Sequence, residues 1–149
     1  MTLSEEYRAE TQIVTNRAYV KYKSKERQFK DILEYSGNII YRNKLTWDNT
    51  QQSKFIEHIL LGFPLGIICI TYSDSEMYVV DGTQRLMSIF NYYRNKLILQ
   101  NLSILDLLNN TTFNNLVYYR KKKFLRGFIT QIQLDDDINS DLRNNLYKL

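Results

Sequence analysis

The residues best suited to chemistry in this chain stand five in a row: Asp81, Gly82, Thr83, Gln84 and Arg85. They follow an apolar β-rich run, Met77, Tyr78, Val79 and Val80, and precede a stretch in which Leu86, Ile89, Phe90 and Tyr93 recur at helical spacing. Strand, tight turn and helix are therefore expected, with the Asp81 carboxylate projecting from the strand end. Gly82 has no Cβ to obstruct a backbone or a phosphate, and the free N–H groups that open the following helix point toward any anion placed there. Arg85, one turn on, offers a forked and permanently charged donor. Gln84 offers a neutral amide able to orient a water or a base edge. The set reads as a site for a metal-bound phosphate, with Asp81 as metal ligand or general base, Gln84 and Arg85 as its catalytic companions, and Gly82, Thr83 and Arg85 on the phosphate. The same spacing also suits a plain helix start, capped by Asp81 or Thr83, with Arg85 paired to a surface carboxylate.

The other candidates point elsewhere. His58 is the single histidine and sits among apolar residues, so nucleophilic triads and histidine-based zinc sites lack their parts. Cys69 is the single cysteine, inside an apolar run, and reads as a buried core thiol with no internal disulfide. Asp135, Asp136 and Asp137 suit a helix start better than a cation site. No Gly-rich loop of the Walker type is present.

The charge of +4 is unevenly spread. One basic stretch runs through Arg17, Lys21, Lys23, Lys25, Arg27 and Lys30, and a second comprises Arg120, Lys121, Lys122, Lys123 and Arg126. Interleaved Tyr19, Tyr22, Phe29, Tyr118, Tyr119 and Phe124 suit phosphate contact with stacking, so Arg120, Lys121, Lys122 and Lys123 are candidate nucleic-acid-binding residues. Solvated faces would show the same pattern.

The elements that must position these residues can be read from periodicity. Residues 1–24 are polar and weakly patterned, and a loosely ordered arm is expected. Phe29, Ile32 and Leu33 predict a helix over residues 26–35, followed by a short strand at Asn38–Tyr41. Asp48 three residues before Gln51 is a capping box for a helix carrying Phe55, Ile56, Ile59 and Leu60 up to Gly62. Residues 66–72 and 77–80 predict a hairpin about the turn at 73–76. Beyond the turn-helix unit come a short strand at 97–99, a helical turn at 104–108, a helix over 113–125, a strand over 127–134, and a last helix over 138–149 carrying Ile138, Leu142, Leu146 and Leu149.

With 149 residues, 44% of them hydrophobic, residues 25–149 are expected to form one α+β domain with a single core. No apolar run approaches the roughly 20 residues of a bilayer span, and the acidic start, Glu5 and Glu6, is unlike a secretory leader. A cytoplasmic location is expected, or a host intracellular one if the abundant Asn, Ile, Lys and Tyr reflect a viral origin. Homo-oligomerisation is left open.

Trp47, the helix 52–62 ending in Phe63 and Pro64, the hairpin, and Val79, Val80, Asp81, Gly82, Thr83, Gln84, Arg85 and Leu86 together resemble the N-terminal domain of GmrSD-type restriction endonucleases. That resemblance implies a ParB/sulfiredoxin-like domain with a small mixed sheet packed by helices. Its hallmark turn is Asp-Gly-x-Gln-Arg, most often with Gln where this chain has Thr83. It further implies Mg²⁺, a nucleoside triphosphate and DNA as ligands, a nuclease or NTP hydrolase activity in defence against modified phage DNA, and a nuclease of the HNH type, here as a separately encoded subunit. Arg42 and Trp47 roughly match an Arg and a Trp that precede the family's helix, which makes Arg42 a candidate phosphate ligand. The family pattern continues beyond a helix like that at 139–149, so a C-terminally short member is expected. The alternatives are a DNA- or nucleotide-binding regulatory module without turnover, and a truncated remnant.

Overall fold

The computed structural model describes residues 2–5 and 21–135 of the chain. Its elements are β1 (Tyr22–Gln28), α1 (Phe29–Leu33), β2 (Asn38–Tyr41), α2 (Asn49–Leu61), β3 (Ile67–Ser73), β4 (Glu76–Asp81), α3 (Thr83–Tyr93), α4 (Tyr118–Leu125) and β5 (Phe128–Leu134), with short 3₁₀ turns at Asp106–Leu108 and Phe113–Asn115. The strands form one mixed sheet in the order β1-β5-β3-β4-β2. β1/β5 and β3/β4 are antiparallel, whereas β5/β3 and β4/β2 are parallel. The fold is α+β, as expected, with helices packed on the sheet.

Local chemistry explains the elements that position the turn. α2 starts at the capping box: the Asp48 side chain accepts from the Gln51 N–H and the Gln51 side chain accepts from the Asp48 N–H. It stops at Gly62, whose φ of +83° closes the helix in the left-handed region. The β3–β4 hairpin turns on Asp74 and Ser75, whose φ values of 50° and 66° are the positive pair that a two-residue hairpin loop of right-handed twist needs. One core joins sheet and helices through Phe29, Ile56, Ile70, Val79, Leu86 and Ile89. Beside them Tyr92, Phe113 and Phe124 pack ring on ring at centroid distances of 5.5–5.6 Å.

The structure corrects several expectations. Residues 22–28 are a strand rather than the end of an arm and the start of a helix, and α1 is only five residues long. The period of two was hidden by charge: Lys23, Lys25 and Arg27 share one face of β1, and Tyr22, Ser24 and Glu26 the other. Lysines on a strand with one neighbour among the described strands also discourage further pairing at the sheet edge. Leu97 and Leu99 are buried in a loop instead of a strand, with the Leu99 N–H donating to the Thr111 carbonyl and the Leu99 carbonyl accepting from Asn110. The helix expected over 113–125 is broken at Leu116 and Val117, whose ψ values of 140° and 152° are extended, so only its second part is α-helical. The last helix expected, over 138–149, lies outside the described residues.

Buried polar side chains of α2 hold the long segment after α3. Glu57, 4% exposed, accepts from the N–H groups of Ile104 and Leu105 at 3.1 and 2.8 Å, and Ser53 Oγ accepts from the Gln100 N–H at 3.0 Å. Paired in this way, the burial of a carboxyl group and a hydroxyl is offset by bonds that order irregular backbone.

Candidate phosphate site

The turn at 81–85 is shaped by a fault in the sheet. Ile70 pairs with Val79, but the next pair is Cys69 with Asp81, so Val80 is an extra residue in β4. Such a bulge bends the strand and re-aims the residues after it. Its trace is that Val79 and Val80 are both buried, at 0% and 8% exposure, although successive residues of a regular strand face opposite ways. Asp81 emerges exposed at the strand end, and its carboxylate has no hydrogen-bond partner among the described residues.

Gly82 then takes φ +106° and stands at the N-cap of α3. No side chain caps this helix, so the plain-cap alternative is not what the structure shows. Thr83 is 3% exposed and its hydroxyl is buried with no partner among the described residues. Arg85 makes no ion pair among the described residues; its Nη1 donates to the Ile67 carbonyl at 2.9 Å, and the guanidinium lies against Gly66. That contact fixes one edge of the fork and leaves its remaining donors for a ligand.

Asn43, Trp47, Asp81, Gly82, Thr83, Gln84 and Arg85 line a cavity of about 160 Å³. This is below the roughly 300–1,000 Å³ of pockets that enclose whole small molecules, and suits one anionic group with the rest of its ligand outside. An uncapped helix start, an orphaned hydroxyl and an anchored guanidinium all favour negative charge here.

The structure brings Asp81, Gly82, Thr83, Gln84 and Arg85 together and leaves Arg42 apart. Arg42 lines a separate cavity of about 330 Å³ with Ile40, Tyr78 and Val79, and Asn43 takes the neighbouring place in the wall of the cavity at the turn. Gln84 also has a different occupation from the one expected. Its Oε1 accepts from the N–H groups of Thr46 and Trp47, and its Nε2 donates to the Lys44 carbonyl.

The basic residues of α4 do not form one face. Lys121 sits over the Phe113 ring and Lys122 over that of Tyr118, at 5.9 and 4.6 Å from the centroids. Lys123 turns the other way. With Arg126, Phe63 and Phe128 it lines a groove of about 580 Å³ that reaches Gly66 and Ile67, the residues against which Arg85 rests. His58 is exposed, its ring 5.5 Å from that of Phe63. Asn43 and Gly66 were missed in the sequence; each lies well outside the motif, and only the proximity of Asn43 to Trp47 hinted at it.

Burial pushes the Cys69 thiol up, and the charge of Asp81 across the sheet pushes it further. The half-buried thiol therefore carries less reactive thiolate than a free cysteine would at the same pH. Asp81→Asn removes the second cause and leaves the first, so Cys69 should react with iodoacetamide a few-fold faster in that variant, as followed by mass spectrometry. An unchanged rate would mean that the two side chains do not sense each other.

Among the described residues no cluster of three His, Cys, Asp or Glu side chains could hold a metal ion by itself, and no helix is long and apolar enough to cross a membrane. Mg²⁺, however, is usually held by one or two carboxylates together with substrate phosphate. An Asp81 carboxylate without a hydrogen-bond partner among the described residues, in the wall of this cavity, fits that mode. No match is found among curated proteins or among solved structures. Residues 17–149 match the family model described as GmrSD restriction endonuclease, N-terminal domain, and the chain belongs to that family.

Proposed function

We propose that the cavity at the start of α3 binds a phosphate group of a nucleoside triphosphate or of DNA, and that the chain serves as the nucleotide-dependent module of a restriction-type defence system. The observation that carries this reading is the uncapped N-terminus of α3 opening on a cavity that Arg85 also lines, with the unpartnered Thr83 hydroxyl buried in the same first turn. A buried hydroxyl without a partner costs about 1–3 kcal/mol, a cost that would be removed if the Thr83 side chain shifted toward the cavity and an anion accepted its hydrogen.

In this reading the N–H groups of the first turn and the Arg85 guanidinium stabilise negative charge as it develops on phosphorus-bound oxygen. Gly82 admits the phosphate, and Asp81 takes the proton of the attacking water or helps to hold Mg²⁺, which would supply charge neutralisation when bound. The groove beside Lys123 and Arg126 gives a polynucleotide an approach to the same cavity. A ParB/sulfiredoxin-like ancestry and a separate HNH-type nuclease subunit belong to this reading through the family.

Binding without turnover is favoured by one observation: Asp81 is the single carboxylate lining the cavity, while the Gln84 amide is committed elsewhere. The test is a calorimetric titration of ATP, GTP, CTP and UTP with and without Mg²⁺, followed by a multiple-turnover phosphate-release assay. Saturable binding is expected, weakened ~3–10-fold by Thr83→Val for the loss of one neutral hydrogen bond. Release that Asp81→Ala abolishes while the protein stays folded supports the enzyme. Release at equal rates in both proteins removes Asp81 from catalysis, and absence of saturable binding for all four nucleotides ends the reading.

A further inference from the structure

The two walls of the cavity come from distant parts of the chain, and one side chain joins them. Gln84 Oε1 accepts from the N–H of Thr46 at 2.7 Å and of Trp47 at 3.1 Å, while Nε2 donates to the Lys44 carbonyl at 2.8 Å. These partners fix the orientation of the amide, because turning it over would set NH₂ against two N–H donors. They take up both acceptor places of the oxygen and one of the two hydrogens.

The far end of the same loop is held by α2. Gln52 Nε2 donates to the Trp47 carbonyl at 3.1 Å, and the Trp47 and Phe55 rings meet edge to face at 5.6 Å. The 44–47 stretch is thus strung between the first turns of α2 and α3, and Gln84 supplies its side-chain fastening on the α3 side. Asn43 and Trp47, the lining residues that come from outside the turn, stand at the two ends of this stretch.

We infer that Gln84 is a positioning residue: it latches the 44–47 loop to the start of α3 and so makes Asn43 and Trp47 the second wall of the cavity. The inference rests on the phosphate reading only for what that wall encloses. A carboxamide suits the task better than a carboxylate. Glutamate would keep the two acceptor bonds but would lose the donor to Lys44 and set a charge against its carbonyl.

Trp47 is the only tryptophan, so its emission reports on the loop directly. In the full chain, amide hydrogen exchange at Thr46 and Trp47 should be slowed, although Thr46 is exposed. Gln84→Leu should abolish that protection, red-shift the Trp47 emission, raise its quenching by acrylamide, and weaken orthophosphate binding on the order of tenfold. Gln84→Glu should retain protection of both amides and fall between the two, a graded rescue that loss of packing alone would not give. Fast exchange at both amides in the unmodified protein overturns the latch, as does a folded Gln84→Leu protein with unchanged emission and exchange. If Gln84→Leu does not fold, the first measurement and the Gln84→Glu protein decide. Should the exchange and emission results hold while orthophosphate, ATP and an oligodeoxynucleotide all fail to bind, the latch stands and the phosphate reading falls.

Discussion

Gly82→Ala is expected to cost roughly 2–6 kcal/mol of stability, of which about 1–3 is backbone strain and a similar amount overpacking. Gly82 sits at φ +106°, and a Cβ built there would lie 2.5 Å from Ile68 Cγ2, 3.1 Å from Ile68 Cβ and 3.3 Å from Ile68 Cα. Ile68 is 1% exposed on the central strand β3, so it has nowhere to move. A loss of this size is a large part of the ~5–15 kcal/mol that holds an ordinary domain together, and should lower the melting temperature by on the order of 10–20 °C. Gly62→Ala supplies the control. Its φ is +83°, yet a Cβ there meets nothing within 4 Å, so only the strain, about 1–2 kcal/mol, is expected. Urea unfolding of the two variants side by side isolates the Ile68 contact. Equal losses would show that β3 and the turn are not packed this closely.

Arg85→Gln is expected to leave folding nearly unchanged and to weaken phosphate binding by roughly 10–100-fold, the worth of one hydrogen bond to a charged group. The difference arises because the guanidinium has two tasks. One N–H donates to the Ile67 carbonyl at 2.9 Å at the surface, a bond that a glutamine amide or a water can replace. The remaining donors have no partner among the described residues, and Arg85 lines the cavity. Arg85→Lys restores the charge but not the fork, and should recover only part of the affinity. Calorimetry with orthophosphate measures the first effect and urea unfolding the second. Full recovery by lysine would mean that charge alone recruits the anion, and equal binding in all three proteins would remove Arg85 from the site.

Much of this arrangement was legible in the sequence because it depends on neighbours in the chain. The capping box at Asp48 and Gln51, the hairpin about Asp74 and Ser75, and the strand-turn-helix unit at Asp81 to Arg85 all arise from local spacing. The features that could not be read depend on partners far along the chain. β1 was obscured because Lys23, Lys25 and Arg27 fill the positions where a strand usually shows apolar residues, and β5 is its pairing partner. The bulge at Val80 is a property of two strands, and no single run of residues announces it. Gln84 belongs to the motif by sequence, but its engagement with residues 44–47 is visible only when β2, α2 and α3 are assembled.

The sheet order has a consequence for how the chain is made. β1 precedes the other described strands in the chain, and its single neighbour among them is β5, the last, with nearly all of the described domain between the two in sequence. Pairings of such long range form late, and the segments that await them remain unprotected meanwhile. Until Leu134 has emerged, Tyr22–Gln28 lacks its β5 partner. Its lysines then serve the nascent chain as much as the finished protein, by keeping that waiting segment from pairing with another of its kind. A fragment that ended before Phe128 would carry the complete turn at 81–85 and still leave this strand without a place.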